Sequence, residues 1–520
     1  VDIHTHYDGQ ATWDPRLAPS CFHGVTTVVM GNCGVGFAPV RPGQEEFLIA
    51  LMEGVEDIPG TALHEGIRWE WETFPQYMDA LGRRRFALDV AAQVPHGSVR
   101  AYVMGERGAR NEPANSGDIA AMAALVKEGV AAGALGFSTS RTIAHRAITG
   151  EPVPGTFAAE DELFGIGRVL GELRRGVFEV AGAGVAGEDL AAPRSELDWM
   201  RRLSREIGRP VTFALVQVDG APNLWRELLG LSAQAAQEGA QVFPQVAGRP
   251  FGMLVGHQTQ IHPFADRPTY AALLGLPFEE RIARLRDPEL KRKILAERNP
   301  ATLSFLLQIP NRVFPIGNPP QYEPAYEDSI EAIARRAGRD PEELLYERML
   351  GQDGRELFFV PILNYSDLTA EPIREMMLHP QAALGLGDGG AHCGMICDAS
   401  IQTFMLTHWV RDRQRGARVP LELAVRRMTR DTATLYGLCD RGIVAPGQKA
   451  DLNLIDLENL RLEPPQVVFD LPAGGRRFMQ RARGYHATLV SGEFSVRNDE
   501  STDQLPGRLV RGPRAAASQS

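Results

Sequence analysis

The chain has 520 residues, 44% of them hydrophobic, and a formal net charge of -10. That length suits one large globular unit with an appendage, and a pI near 5.7 excludes the basic footprint with which nucleic-acid binders neutralise phosphate. No apolar run approaches the ~20 residues of a membrane span, and five widely spaced cysteines fit a reducing compartment better than a disulfide framework.

These totals lead us to expect a cytoplasmic protein that works on a small molecule, with no nucleic-acid or membrane partner. The first residue is Val1, already inside an apolar strand, so a native segment is expected to precede it. That first strand carries Asp2-Ile3-His4-Thr5-His6. A strand's period of two places Asp2, His4 and His6 on one face, which is metal-ligand spacing at a strand end. Further apolar runs follow at 25–31, 86–94, 134–138, 177–181, 211–216, 241–245 and 383–387. Amphipathic stretches at 118–130, 160–174, 195–207 and 223–237 separate several of them. Strand and helix in alternation predict a parallel sheet with crossover helices, and eight such units predict an α/β fold of the (β/α)8 TIM-barrel type. In that architecture the chemistry gathers at the C-terminal ends of the strands.

Two intervals are too long for simple crossovers. Residues 41–82 hold Trp69, Trp71 and Tyr77 and should contain inserted structure. Residues 247–380 form a larger insertion after strand seven, read as a lid or substrate-shaping subdomain, although an oligomer contact fits it nearly as well. The barrel would then comprise 1–246 and 381–437, closed by a helix over 421–436. A small β appendage follows over 438–497, opening with a turn-punctuated strand pair over 442–455, and 498–520 reads as a poorly ordered tail.

Strand two ends in Gly31-Asn32-Cys33-Gly34, where flanking glycines let the backbone turn and present the thiol to the mouth. The plain alternative is a small buried hydrophobe. Strand eight ends in Gly387-Asp388-Gly389-Gly390-Ala391-His392. An aspartate held there can relay a proton between an activated water and a leaving group, though the same string is also a good turn.

Together, Asp-X-His-X-His, Gly-Asn-Cys-Gly and the strand-eight Asp-Gly resemble the amidohydrolase superfamily, in its D-aminoacylase (N-acyl-D-amino-acid deacylase) branch. Val25-Thr26-Thr27-Val28-Val29, His96-Gly97-Ser98-Val99-Arg100, Gly133 to Thr139, Ala424 to Thr429 and Arg441 to Leu452 extend the likeness over most of the chain. The resemblance implies a zinc barrel, with one or two ions or another divalent metal, that hydrolyses a small-molecule amide. In it His4, His6 and Cys33 are ligands and Asp388 is the general acid/base. The C-terminal β stretch of that family belongs to a β-sandwich shared with an N-terminal segment.

The chain also departs from the pattern. The family's metal-binding histidines at the ends of strands five and six have no counterpart in Phe178-Glu179-Val180 or Thr212 to Gln217, and none of the lysines (Lys127, Lys291, Lys293, Lys449) lies on a barrel strand. Cys33 is therefore the remaining bridge candidate. His392 and His96 are the proposed replacement ligands; His257 and His262 of the insertion, and Glu179 as an oxygen donor, are further candidates. Arg100, Arg141 and Arg249 are candidates to clamp a substrate carboxylate. Two other readings stay open: hydrolysis of a cyclic amide, lactam or ester at a mononuclear site, and a catalytically silent binding protein.

Overall fold

The computed structural model describes residues 1–297 and 310–514. Eight segments pair in parallel. Residues 1–6 meet strand two, Thr27–Met30, through the Asp2–Val28 bridge, and strand two pairs with strand three, Asp89–Ala92. Strand three continues through Val94–Pro95 onto strand four, Gly136–Ser140, followed by strand five, Val177–Ala181, strand six, Val211–Ala214, and strand seven, Val242–Val246. Strand seven pairs with strand eight, Ala383–Leu384. Beyond strand eight, Gly389 bridges in parallel to Thr5, so the ladder that leaves residues 1–6 on one side returns to them on the other.

All residues of strands two, four and five are buried, as expected where both faces of a parallel sheet are covered. The cover comes from helices Ser116–Ala131, Glu160–Leu173, Ala192–Ile207 and Leu224–Gln237, which follow strands three to six. The first of these is opened by a reciprocal Asn115–Asp118 cap. The expected closing helix is continuous from Leu421–Arg426 to Thr432–Leu435, with wide π turns over Arg427–Asp431 between them.

The interval after strand two holds helices Glu45–Glu56, Gly60–Gly66 and Phe74–Gly82. Trp69, Trp71 and Tyr77 pack ring on ring at 5.5 and 4.9 Å. The interval after strand seven is less purely helical than expected. An antiparallel sheet of Phe251–Val255, Phe358–Leu363 and Phe314–Pro315 lies inside it. Helices such as Phe278–Leu285 and Pro341–Met349 pack a separate apolar cluster around Val255, Tyr270, Tyr346 and Phe358.

Two C-terminal expectations change. Residues 442–451 form a loop, and Leu452–Ile455 pairs with the distant Tyr485–Val490, so there is no local strand pair. The turn signals Gly442 and Gly447, both at positive φ, shape the loop instead. Nor is the tail loose as far as residue 514. Gly507, Leu509 and Arg514 bridge to Phe86, Val90 and Leu438, and Gly512 donates to the Gly133 carbonyl at 2.8 Å. Backbone pairing is indifferent to the Arg- and Ala-rich composition that suggested disorder. The described residues contain no helix long and apolar enough to cross a membrane.

Candidate metal centre and active site

Strand pairing brings the ends of segments one, two and eight together. The Asp388 N–H donates to the His4 carbonyl at 3.0 Å, and the His6 N–H donates to that of Gly389 at 2.8 Å. Asp388 and Cys33 both adopt positive φ, +46° and +55°, a conformation costly for a side-chain-bearing residue and typical of functional turns. His4, His6 and Cys33 each offer a ligand atom within 4.8 Å of the others. The His4 Nε2 lies 3.3 Å from the Cys33 Sγ and 3.4 Å from the Asp388 Oδ1, while the His6 Nε2 lies 3.8 Å from that oxygen. On the far side of His4, Nδ1 meets the Oε1 of Gln245, at the end of strand seven, at 3.0 Å. That contact leaves Nε2 facing the cluster.

Three carboxyls surround this group, Glu56 and Glu179 buried and Asp388 13% exposed. Asp388 is held well below the usual carboxylate range: burial pushes it up, but the hydrogen bond from His6 and the nearby imidazoles of His4 and His392 more than offset this. Glu179, of strand five, accepts the Cys33 N–H at 2.9 Å and is pushed up to about 7, chiefly by burial. Glu56, from the helix Glu45–Glu56, is driven well up by burial and by the negative charges of Asp388, Asp8 and Glu179. Burial pushes His6 down to about 4 and the Cys33 thiol well up. Four buried polar atoms here, His6 Nδ1, Glu56 Oε1, Glu179 Oε1 and His392 Nδ1, have no hydrogen-bond partner. Imidazoles, a thiol and unsatisfied carboxyl oxygens make a donor set that fits a divalent cation of the zinc type.

His392 stands at the rim, 22% exposed, with Nε2 3.8 Å from Glu56 Oε2 and 4.0 Å from Asp388 Oδ2. It lies beside the three-ligand group but outside it. His96 is a correction. Its Nδ1 meets the Thr139 hydroxyl at 2.8 Å and its Nε2 meets Glu162 at 2.9 Å, so no ring nitrogen is left for a metal. His96 opens the helix His96–Met104, and its ring is turned toward the neighbouring helix Glu160–Leu173. His257 and His262 are likewise not at the mouth. His257 stacks on Tyr270 and His262 meets both rings edge to face, inside the apolar cluster of the insertion. The three arginines are engaged: Arg100 with Glu162, Arg141 with Glu196, and Arg249 with Asp398 and Ser400.

Besides Gln245 on strand seven, sequence reasoning missed two groups. Glu56 is one. The other is His145, in the loop after strand four, whose Nδ1 meets the Ser140 hydroxyl at 3.0 Å. It is pushed down to about 3 by burial and then by the charges of His392 and His6. A histidine shortly after the strand-four motif was the available signal. Glu56 offered none.

The amidohydrolase family profile matches residues 1–496. A D-aminoacylase from Alcaligenes xylosoxydans xylosoxydans is 28% identical over 520 residues, which cover 98% of this chain and 86% of the relative. A D-aminoacylase crystal structure superposes with a TM-score of 0.61 at 23% identity, over 99% of this chain and 88% of that one. An N-acyl-D-glutamate deacylase from Bordetella bronchiseptica, solved with zinc and a phosphonate mimic of the tetrahedral intermediate, superposes with a TM-score of 0.59 at 21% identity, over 98% and 87%.

Proposed function

The chain belongs to the amidohydrolase family, a group of hydrolases that act on C–N amide bonds, and on that premise we propose that it deacylates N-acyl amino acids, of the D series, at a divalent-metal centre. The ring of parallel segments is then a (β/α)8 barrel formed by 1–246 and 381–437. Residues 247–380 shape the substrate, and 438–497 form part of a β-sandwich. The observation that carries this reading is the convergence of His4, His6, Cys33 and Asp388 from three strand ends, beside buried polar atoms with no partner.

His4, His6 and Cys33 would hold a divalent cation, zinc first among them, which would supply Lewis acidity toward the amide carbonyl and make a nearby water more acidic. The protein's own groups do the rest. His4 and His6 hold their rings toward the site, His4 through its Gln245 contact. Cys33 would supply a soft donor, and Glu179, which accepts the Cys33 N–H, stands beside it as a hard one. Glu179 stands on strand five, where the family pattern has a histidine. Asp388, kept ionised, accepts the proton of the attacking water and returns it to the departing nitrogen.

Two measurements test the reading. Elemental analysis should find a stoichiometric divalent metal in the wild-type protein and background levels in His4→Ala/His6→Ala; equal content in both would falsify the centre. Metal-dependent turnover should be fastest on N-acyl-D-amino acids. A preference for cyclic amides would replace the substrate assignment.

A further inference from the structure

We propose that Glu56 is the positioning carboxylate of His6, and that through it the segment inserted after strand two governs the metal site. The inference rests on the reading of that site as a metal centre. Glu56 ends the helix Glu45–Glu56. A carboxylate there opposes the negative end of the helix dipole, where a basic residue is preferred, and the last turn contains none. The residue is nevertheless 2% exposed and shares its surroundings with Asp388 and Glu179, so folding alone gives it nothing to recommend it.

Its contacts supply the reason. The Glu56 Oε1 faces the His6 Nδ1 at 3.2 Å, and neither atom has an aligned hydrogen-bond partner. The other nitrogen of that ring, Nε2, points to Asp388. This is the arrangement of a metal-binding histidine whose second nitrogen is steered by a carboxylate, a contact that fixes both tautomer and ring orientation. Gln245 occupies the equivalent place on His4. A small rotation of the His6 ring turns the 3.2 Å contact into an N–H donating to Oε1.

The same residue reaches the strand-eight loop. The Glu56 carbonyl accepts the His392 N–H, and the side chain of the next residue, Asp57, accepts the Gly394 N–H at 2.8 Å. The helix is itself pinned from behind. Ile148 donates to the Ala50 carbonyl at 3.0 Å, and Gly54 packs so closely on Arg146, Ala147 and Ile148 that a Cβ would overlap their backbone. One helix end thus holds a ligand of the first strand and the loop that carries Asp388.

Glu56→Gln, which keeps the shape and removes the charge, tests this by metal binding, with no need for turnover. Competition with a chromophoric chelator should show the zinc dissociation constant rising by roughly 10–100-fold. The visible spectrum of the cobalt(II) form should stay that of the wild type, and the melting temperature of the metal-free protein should not fall. Glu56→Asp, which draws the carboxylate back by one methylene, should also weaken binding, by less; it carries the test if the glutamine variant does not fold. Wild-type affinity in both variants overturns the proposal. So does a cobalt spectrum of altered coordination, which would make Glu56 a direct ligand. A wild-type protein that binds no zinc or cobalt sinks the metal reading itself, and this inference with it.

Discussion

Two buried clusters of imidazole and carboxylate stand at the ends of ring strands, built from the same residue types with opposite outcomes. Around His96, both ring nitrogens are engaged, and Glu162 receives His96 and the Arg100 Nε at 2.9 Å each. None of His96, Arg100 and Glu162 retains a buried polar atom without a partner. Around His4 and His6 the atoms lie as close, yet Glu179 Oε1 and His392 Nδ1 have no partner, His6 Nδ1 and Glu56 Oε1 face each other at 3.2 Å without an aligned hydrogen bond, and the acids outnumber any fixed positive charge. The first cluster is complete as protein, while the second keeps the unpaired donors on which the proposed metal centre rests. Partner accounting, more than residue identity, separates a structural histidine from one that serves chemistry.

That contrast predicts that mutations in the second cluster remove activity and spare stability, while mutations in the first do the reverse. The largest effect should come from Asp388→Asn. Its turnover should fall by roughly two to four orders of magnitude, the usual worth of a positioned proton relay, with the melting temperature held; full activity would remove Asp388 from the mechanism. Glu162→Gln should cost roughly 3 kcal/mol in denaturant unfolding, because it leaves Arg100 buried against a neutral partner, and should leave metal content untouched. Lost metal would mean the two clusters are not independent.

The smallest effect is in pH. Burial alone would raise the Glu162 carboxyl, but the hydrogen bond from His96 and the charges of His96 and Arg100 outweigh it and bring the group from 4.5 down to about 2. A folded value below the unfolded one adds stability that is fully present above about pH 4.5 and is lost as pH falls toward 2. Unfolding free energy should therefore decline over that window in the wild type and vary less with pH in Glu162→Gln. Parallel curves for the two would remove Glu162 as the source.

Much of the ring was legible in the sequence because strands buried on both faces write themselves as short apolar runs, and the glycines beside Cys33 and Asp388 mark sharp turns at strand ends. The same cue misled at His96. A position just after a strand does not say whether the side chain faces the mouth or the neighbouring helix, and Glu162, which decides it, is 66 residues away. Glu56 was illegible for a related reason: among the acids of an amphipathic helix, nothing local distinguishes the one that tertiary packing turns inward. The order of residues 507–514 escaped because main-chain bridges leave no trace in composition.

The seam between Thr5 and Gly389 has a consequence for the life of the chain. A ribosome must deliver about three-quarters of these 520 residues before the eighth segment can meet the first. Until then His4 and His6 stand without Asp388, beside an open ring. The cluster of His4, His6 and Asp388 is thus assembled only when the ring closes.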